Sequence, residues 1–176
     1  MIGLDETTLT RIEAIIQKRC NDTADPCNQY TLYTIRPHIS NLIEAKIFKL
    51  QHSDKTYFVP LWHDHMLFEE DNGESLKVTC GPRLPEHMRL DDDNNLHISV
   101  RASVLAIFNA GGLEVKAGDT CLHIETKCIT CERFQTVRLQ GRGPPRINEK
   151  DPFNDSVRAD ICVHLQLIAP AAKNTQ

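Results

Sequence analysis

Hydrophobic residues from Tyr30 onward occur in short runs, and each run ends at a cluster of turn-forming residues. The clusters are rich in Gly, Pro, Asn, Asp and Ser, which supply the φ angles and local hydrogen bonds of tight turns. In chain order they read HSDK, EEDNGES, CGPRLP, DDDNN, KAGD and GRGPP. Short apolar runs separated by frequent turns are typical of sandwich strands. The pattern therefore predicts a mainly β protein behind an N-terminal segment.

That N-terminal segment has helical rather than strand spacing over residues 5–20. Its apolar positions repeat at intervals of three and four: Leu9, Ile12, Ile15 and Ile16. Acidic residues come first and basic residues last, as the helix dipole favours. The segment NDTADPCNQ then interrupts the pattern, because Asn, Asp and Pro favour turns. Residues 1–27 are therefore predicted to be a helix and a linker.

The β region contains an internal repeat. The segments IRPHISNLIEAKIFKL (35–50) and VRASVLAIFNAGGLEV (100–115) align without a gap, and the agreement continues at the same offset to residues 59 and 124. The matched pairs are Ile35 and Val100, Arg36 and Arg101, Ile39 and Val104, Leu42 and Ile107, Ile43 and Phe108, Ala45 and Ala110, Phe48 and Leu113, Leu50 and Val115, Asp54 and Asp119, Tyr57 and Leu122, and Val59 and Ile124. Further on, LKVTCGPRLP corresponds loosely to TVRLQGRGPP. Each half thus predicts strand, short helical turn, strand, β-turn, strand, strand and Pro/Gly turn.

The glycines of QGRGPP raise the possibility of a phosphate-binding loop, with Arg138, Arg142 and Arg146 nearby. Such a loop opens a helix, because the helix N-terminus supplies the aligned N–H groups. The residues that follow, RINEKDPFNDS, are too rich in Pro, Asn and Asp for that helix. The segment is therefore predicted to be a turn that ends a strand, and the nearby arginines a solvated basic face.

Composition narrows the class of protein. The 176 residues are 40% hydrophobic and carry a net charge of −4, which gives no overall basic field to attract nucleic acid or an anionic membrane. No export signal precedes the helix, and no apolar run approaches the length of a membrane span. We therefore expect a soluble, cytoplasmic protein.

Seven cysteines at irregular spacing, without an export signal, are expected to be reduced thiols. Cys128 and Cys131 form the one CxxC, at a predicted turn between two strands. A zinc site commonly needs a second such pair or paired histidines, and the sequence has no second CxxC. Small core or surface thiols are favoured over a metal site.

The order of these segments resembles the C-terminal substrate-binding region of DnaJ-type co-chaperones, which is a tandem of two β-sandwich subdomains. DDDNNLHISVRASVLAIFNAGGLEV resembles the acidic hinge and opening strand of the family's second subdomain. VRLQGRGPP and DSVRADICVHLQLIAP resemble its glycine turn and closing strand. TLYTIRPHISNLIEAKIFKL matches the first subdomain more weakly. The segment PLWHDH is untypical of cellular members and is similar to J-like proteins of large DNA viruses, which would place the protein in host cytoplasm or a virion.

The resemblance implies a mainly β fold in which the N-terminal helix precedes two tandem DnaJ C-terminal-type β-sandwiches. Subdomain I is expected over residues 28–95, subdomain II over 96–170, and a tail over 171–176. Subdomain I of the family carries an apolar depression for hydrophobic segments or for the acidic tail of the seventy-kilodalton heat-shock chaperone. Carried over by position, its residues are Tyr33, Ile35, Phe48 and Leu50, with Lys46 and Lys49 beside them. Plain core packing is the other interpretation of each apolar residue, because every strand of a sandwich has an inward face.

The departures from the family decide what activity is expected. No His-Pro-Asp tripeptide occurs, so the signature for stimulating the partner's ATPase is missing, as are the Gly/Phe-rich linker and the CxxCxGxG repeats. The chain is either a fragment of a longer co-chaperone or a reduced stand-alone version, and Met1 with a well-formed helix favours the second. We expect a non-enzymatic peptide-binding module. The alternative is a structural component of a virion or scaffold that uses the double sandwich as a permanent interface.

His63, Asp64 and His65 raise the question of a metal or catalytic site. Two histidines two residues apart share one face of a strand, but a third ligand is not evident. The favoured interpretation is that Leu61 and Trp62 pack while both histidines face solvent or a partner. No nucleophile–base pair is visible, and Asp91–Asp93 is interpreted as solvated charge. No cofactor is expected.

Overall fold

The computed structural model of the chain describes residues 19–20, 30–69 and 75–168, and these are mainly β. Its strands are β1 (Arg19–Cys20), β2 (Tyr30–Ile35), β3 (Ile47–His52), β4 (Lys55–Pro60), β5 (His65–Glu69), β6 (Ser75–Cys80), β7 (Met88–Leu90), β8 (Leu96–Ser103), β9 (Gly112–Ala117), β10 (Thr120–Glu125), β11 (Phe134–Leu139) and β12 (Ile161–Ile168). The helices are α1 (Ile39–Ile43), α2 (Val104–Ala110) and a 3₁₀ turn (Thr126–Cys128).

The predicted N-terminal helix falls almost entirely outside the described residues. Its last two residues, Arg19 and Cys20, form β1 instead and pair with Leu32 and Thr31 of β2. The prediction of helix is therefore wrong at these two residues, where pairing with a neighbouring strand overrides local helical spacing.

The chain divides into two compact units. One takes in Met1–Arg83 and Ile147–Asn154, and the other takes in Leu84–Arg146 and Asp155–Gln176. The division falls at Arg83, ahead of β7, so the acidic DDDNN turn belongs wholly to the second unit. The repeat gave no indication that residues 147–154 would join the first unit.

The first unit contains a four-stranded sheet in the order β1-β2-β6-β5, in which β2 and β6 are parallel. Between them the chain forms α1 and the two-stranded hairpin β3–β4. One face of the sheet is buried through Tyr33, Ile35 and Val78, and Leu50 and Val59 of the hairpin are also buried. Full burial of such an aliphatic side chain contributes about 1.5–3 kcal/mol to stability.

The second unit has the same topology. Its sheet has the order β7-β8-β12-β11, β8 and β12 are parallel, and α2 with the hairpin β9–β10 lies between them in sequence. Alternate residues of β12 face inward, and its buried set is Ile161, Val163, Leu165 and Leu167. Ile107 of α2 packs with the last two of these. The two units thus share one order of strands and helix, and from the first strand of the parallel pair to the last each has five strands where the repeat predicted four.

The alignment at constant offset holds through α1, β3 and β4, whose counterparts begin 65 residues later at Val104, Gly112 and Thr120. The later match of LKVTCGPRLP with TVRLQGRGPP is wrong. β6 is equivalent to β12, because β6 is parallel to β2 and β12 is parallel to β8, whereas TVRL lies in β11. The two segments look alike only because each is a strand followed by Gly and Pro.

The prediction that QGRGPP is a turn agrees with the structure. β11 ends at Leu139, Gln140 and Gly141 turn, and the described residues 140–160 contain no helix. The N–H of Gly141 donates to the carboxylate of Asp160, at 2.8 Å, so this backbone group binds a side chain of the same unit.

The two hairpin turns differ at one informative position. Ser53 and Gly118 occupy the first loop residue of each turn, with φ of 53° and 65°. Left-handed φ at this position is costly for a residue with a Cβ and is the natural place for Gly.

We therefore expect Gly118→Ser to lower the free energy of unfolding by about 0.5–1 kcal/mol, because Ser brings the left-handed strain that Gly avoids. The reciprocal change, Ser53→Gly, is expected to be neutral or stabilising by about 0.5 kcal/mol. Equilibrium denaturation of both variants measures the pair. A loss of stability in Ser53→Gly larger than that in Gly118→Ser would contradict this account.

Candidate functional site

Three of the six predicted peptide-binding residues lie in the core of the first unit. Ile35 is 0% exposed, Leu50 is 2% exposed, and Tyr33 is 8% exposed, with its hydroxyl 2.9 Å from Nδ1 of His52. Their side chains therefore offer little or no surface to a peptide. They lie where plain core packing, the other interpretation of these residues, would place them.

The other three reach the surface to different degrees. Phe48 is half-buried beside Val59, its partner across the hairpin. Lys49 is exposed and lies on the opposite face, directly across from Phe58. Lys46 is half-buried and its ammonium lies 2.7 Å from a carboxylate oxygen of Glu44. The reachable residues therefore surround one strand, β3.

The outer edge of β3 carries backbone groups that point away from β4. In an antiparallel pair these groups alternate between facing the partner and facing outward. Pro60 has no N–H and lies opposite Ile47, so this pair faces outward, whereas the N–H of Leu61 donates to the carbonyl of Lys46 at 3.1 Å. Because inward and outward positions alternate along the strand, Lys49 and Gln51 direct their backbone N–H and C=O groups outward, as Ile47 does. Among the described residues, β3 has a ladder with β4 alone.

Apolar side chains stand beside this edge. Ile47 is 42% exposed and Phe58 is 51% exposed, and the two lie on the same face of the hairpin as Lys49. Phe48 covers the edge from the other face. A strand placed along β3 would therefore meet apolar surface on both faces and a lysine on one. The sequence analysis did not single out Ile47 or Phe58, although strict alternation along β3 and β4 places them with Lys49.

The equivalent edge of the second unit is different. The counterpart of Ile47 is Gly112, where an added Cβ would lie 2.7 Å from both the His123 ring and the carbonyl oxygen of Ile124. The counterparts of Lys49 and Gln51 are Glu114 and Lys116, both exposed. Charged side chains on an open edge discourage pairing with another strand. Within the described ranges, the first unit alone therefore combines an unpaired edge of its hairpin with exposed apolar residues.

The two histidines of the His63–His65 segment do not converge. His63 is buried, its ring donates to the backbone carbonyl of Pro152, and within the described chain its Nε2 has no hydrogen-bond partner. His65 is exposed, with Nδ1 2.9 Å from Asp64. The prediction that both face solvent or a partner is wrong for His63, which is buried and bonded to Pro152 of the segment 147–154 in the same unit. Leu61 and Trp62 pack as predicted.

Metal binding and thiol chemistry depend on which side chains the fold brings together. No group of three or more His, Cys, Asp or Glu residues in the described part of the chain could hold a metal ion. The described cysteines are free thiols: Cys80, Cys121, Cys128, Cys131 and Cys162. Burial raises the pKa of the Cys80 thiol to about 12, so this thiol is unreactive.

Asp91 is not the solvated charge that the sequence predicted. Its carboxylate accepts hydrogen bonds from the backbone N–H groups of Asp93 and Asn95, from the Asn95 amide, and from Nε2 of His97 at 3.0 Å. Asn95 in turn accepts from the N–H of Asp160. The DDDNN turn is therefore tied to the sheet of the second unit by one acidic side chain.

No protein-family model matches the sequence, and no curated protein matches it. No helix among the described residues is long and apolar enough to cross a membrane. The resemblance to DnaJ-type co-chaperones is thus carried by the quoted segments alone.

His63 gives a prediction about pH and stability. Desolvation is the largest influence on its pKa, which lies below the ordinary histidine value despite the opposing hydrogen bond to Pro152 and the charge of Asp64. A lowered folded-state pKa means that stability is complete above the unfolded pKa of about 6.5 and is lost as the pH falls below it. We expect His63→Gln to flatten the fall in unfolding free energy between pH 7.5 and 5.5. The neighbouring change His65→Gln should preserve that fall, and an unchanged slope in His63→Gln would contradict the assignment.

Asp91 gives a second prediction. Although desolvation raises its pKa, the hydrogen bonds from His97, Asn95 and Asp93 lower it to about 2, against about 3.9 in an unfolded chain. The stabilisation is therefore present above about pH 4 and is lost as the pH falls toward 2. We expect Asp91→Ala to cost about 1–3 kcal/mol at pH 7, and the gap from wild type to narrow below pH 4. Asp92→Ala, at the exposed next position, is the control and should leave stability within about 0.5 kcal/mol.

Proposed function

We propose that the chain is a non-enzymatic peptide-binding module, in which an extended segment of another protein adds as a strand to the outer edge of β3. The observation that carries the proposal is the coincidence of outward-pointing backbone groups at Ile47, Lys49 and Gln51 with exposed Ile47 and Phe58 and half-buried Phe48. Main-chain hydrogen bonds supply affinity in this mode, and alternate side chains supply specificity.

The chemistry of the edge defines the segment it would take. Apolar residues at alternate positions of the ligand would contact Ile47 and Phe58 on one face, or Phe48 on the other. Lys49 is exposed on the first of these faces, so an acidic residue there would gain a charge-assisted contact. Lys46 is paired with Glu44 and would contribute less. An extended apolar segment with an acidic residue fits best.

The resemblance to the DnaJ C-terminal region supports the same proposal. Both units have one topology, as tandem subdomains of that family would, and we propose that each is a β-sandwich of its sheet and hairpin. The sequence has no His-Pro-Asp tripeptide, so the module would bind clients, or the acidic tail of a seventy-kilodalton heat-shock chaperone, without stimulating its ATPase.

A permanent interface in a larger assembly, such as a virion, is the second candidate. Leu105 and Phe108 of α2, in the second unit, are each 57% exposed. Further exposed apolar surface is more typical of an assembly component than of a module with one binding edge. Stoichiometric co-purification of one partner, sensitive to Phe108→Asp and insensitive to changes at β3, would favour this candidate.

The decisive variant for the peptide edge is Lys49→Pro. Proline removes the one N–H that points outward at the centre of β3 and leaves the ladder with β4 intact. We expect the Kd of a fluorescein-labelled peptide of alternating Leu and Ser with a terminal Glu to rise about tenfold, as the loss of one interstrand hydrogen bond predicts. Fluorescence anisotropy measures the Kd, and circular dichroism checks the fold.

The matched control is Glu114→Pro, at the equivalent position of β9. It should leave the peptide Kd unchanged, because the second unit lacks the apolar edge. Equal weakening by the two variants would contradict placement at β3. Undiminished binding in both Lys49→Pro and Ile47→Asp would remove the proposed edge altogether.

A further inference from the structure

The sheet of the second unit has an open face that is polar and rich in nitrogen. Alternate residues of β12 leave the core, namely Cys162, His164 and Gln166, and each is half-buried between neighbouring strands. Register places Thr136 and Ser99 on either side of His164, and Phe134 and Arg101 on either side of Gln166. One row further along the same face, Arg138 and His97 flank Cys162.

Four side chains on this face form a continuous hydrogen-bonded chain, called here the histidine relay: Asp91, His97, His164 and Thr136. Asp91 lies 3.0 Å from Nε2 of His97, and Nδ1 of His97 lies 2.9 Å from Nε2 of His164. Nδ1 of His164 lies 3.0 Å from the hydroxyl of Thr136. The imidazole planes differ by only 2°, so the two rings share an in-plane hydrogen bond.

The hydrogen bonds between His97, His164 and Thr136 can run in either of two directions, depending on which ring nitrogens carry a proton. Asp91 is a carboxylate and accepts from His97, so Nε2 of His97 always carries hydrogen. With both rings neutral, Nδ1 of His97 accepts from Nε2 of His164, and Nδ1 of His164 accepts from Thr136. The shared bond has room for one proton, so the two rings cannot both be cations while it persists.

Adding one proton reverses the direction of every bond after Asp91. Desolvation first, then the charges of His97 and Arg89, lower the pKa of His164. The Asp91 carboxylate lies 3.0 Å from Nε2 of His97, so the geometry favours a positive charge at that end of the relay. His97 then donates from Nδ1 to Nε2 of His164. His164 donates from Nδ1 to Thr136, whose hydroxyl hydrogen is released to point elsewhere. The relay thereby gains one positive charge, and Thr136 gains a free donor.

Thr136 and His164 line a concavity of about 570 Å³ in the same unit. His87, Ser99, Arg101, Phe134 and Gln166 also line it, and none of its lining residues is a carboxylate. Phe134 is 64% exposed and supplies an apolar wall. A volume of this size accommodates a small organic molecule.

The donors in the concavity favour an anion. Nε of Arg101 donates to Oε1 of Gln166 at 2.7 Å, which holds the guanidinium in place and leaves its Nη groups as the donors a carboxylate would use. This bond fixes Oε1 of Gln166 toward Arg101. The amide NH₂ of Gln166 is therefore a further group that can donate to a carboxylate. Ser99 adds a hydroxyl, and Thr136 adds a second one when the relay is protonated.

The charged and titratable groups on this face come from all four strands and the adjoining loops. They are His87 and Arg89 at β7, His97 and Arg101 on β8, Arg138 on β11, Cys162 and His164 on β12, and the carboxylates Asp91 and Asp160. Asp160 lies 2.6 Å from Nε of Arg138, and Asp91 is bound by the relay, so both carboxylates are already engaged. The balance of the remaining charge is positive.

The first unit has the same strands without the relay. Register places Leu32 where the second unit has His97, and Thr79 where it has His164. Thr79 bonds to Thr34, hydroxyl to hydroxyl, at 3.2 Å. The fold therefore forms without histidines on this face, and the relay is a feature of the second unit alone among the described residues.

We propose that the concavity of the second unit binds a small carboxylate with an apolar body, and that one proton taken up by the histidine relay strengthens the binding. The carboxylate contacts Arg101 and the released hydroxyl of Thr136, and the apolar body lies against Phe134. This site is separate from the peptide edge of β3 and does not depend on it.

Benzoate is the probe that tests the proposal, and benzyl alcohol is its neutral counterpart. Both keep their charge between pH 5.5 and 8, so a pH-dependent affinity reports on the protein. We expect the wild-type chain to bind benzoate about tenfold more tightly at pH 5.5 than at pH 8, which lies within the range of about 5–150-fold that is typical of coupled sites. Benzyl alcohol should bind weakly and equally at both pH values. Isothermal titration calorimetry measures the four affinities, and histidine nitrogen shifts by NMR show whether the relay reverses.

Three variants separate the contributions. His164→Gln should abolish the pH dependence and keep the weaker binding of pH 8, whereas Arg101→Gln should weaken binding at least about tenfold at both pH values. His123→Gln, an exposed histidine of the same unit, is the control and should change neither. Absence of benzoate binding at pH 5.5, equal binding of benzyl alcohol, or a pH dependence that persists in folded His164→Gln would each overturn the proposal.

Discussion

The parallel pairing of two strands in each unit is the constraint on which the rest of the structure depends. β2 lies parallel to β6, and β8 lies parallel to β12, so everything between the paired strands must form one crossover. The helix and hairpin of each unit lie within that crossover, and in the second unit Ile107 of the helix packs with Leu165 and Leu167 of the sheet. Burial of residues such as Ile35 and Val163 at these parallel pairs stabilises the arrangement.

The parallel pairing involves neither the outer edge of the hairpin nor the polar face of the sheet, and these two surfaces differ between the units. In the first unit the edge of β3 retains Ile47 and Lys49, while the open sheet face carries Leu32 and hydroxyl residues. In the second unit the edge is charged and the open face carries the histidine relay. A duplicated core can keep its packing while surface positions diverge, because surface substitutions away from special features change stability little.

Sequence reasoning predicted the β class and the repeat because both depend on periodicity, which a short gapless alignment preserves. It failed where the second unit lengthens the connection from β11 to β12, since residues 147–154 leave that unit and cover His63 of the first. It also could not decide whether Tyr33 and Leu50 face a cleft or the core. Alternation shows which residues share a face, but it does not show which face another element covers.

The relay illustrates what periodicity cannot supply. Asp91, His97, Thr136 and His164 come from a loop and three strands, and each taken alone is an ordinary polar position in a strand or turn. They meet because β12 enters the sheet between β8 and β11, a consequence of topology rather than of local sequence. The parallel pairing that builds the core thus also assembles the one hydrogen-bonded chain of titratable side chains that crosses this face in the described structure.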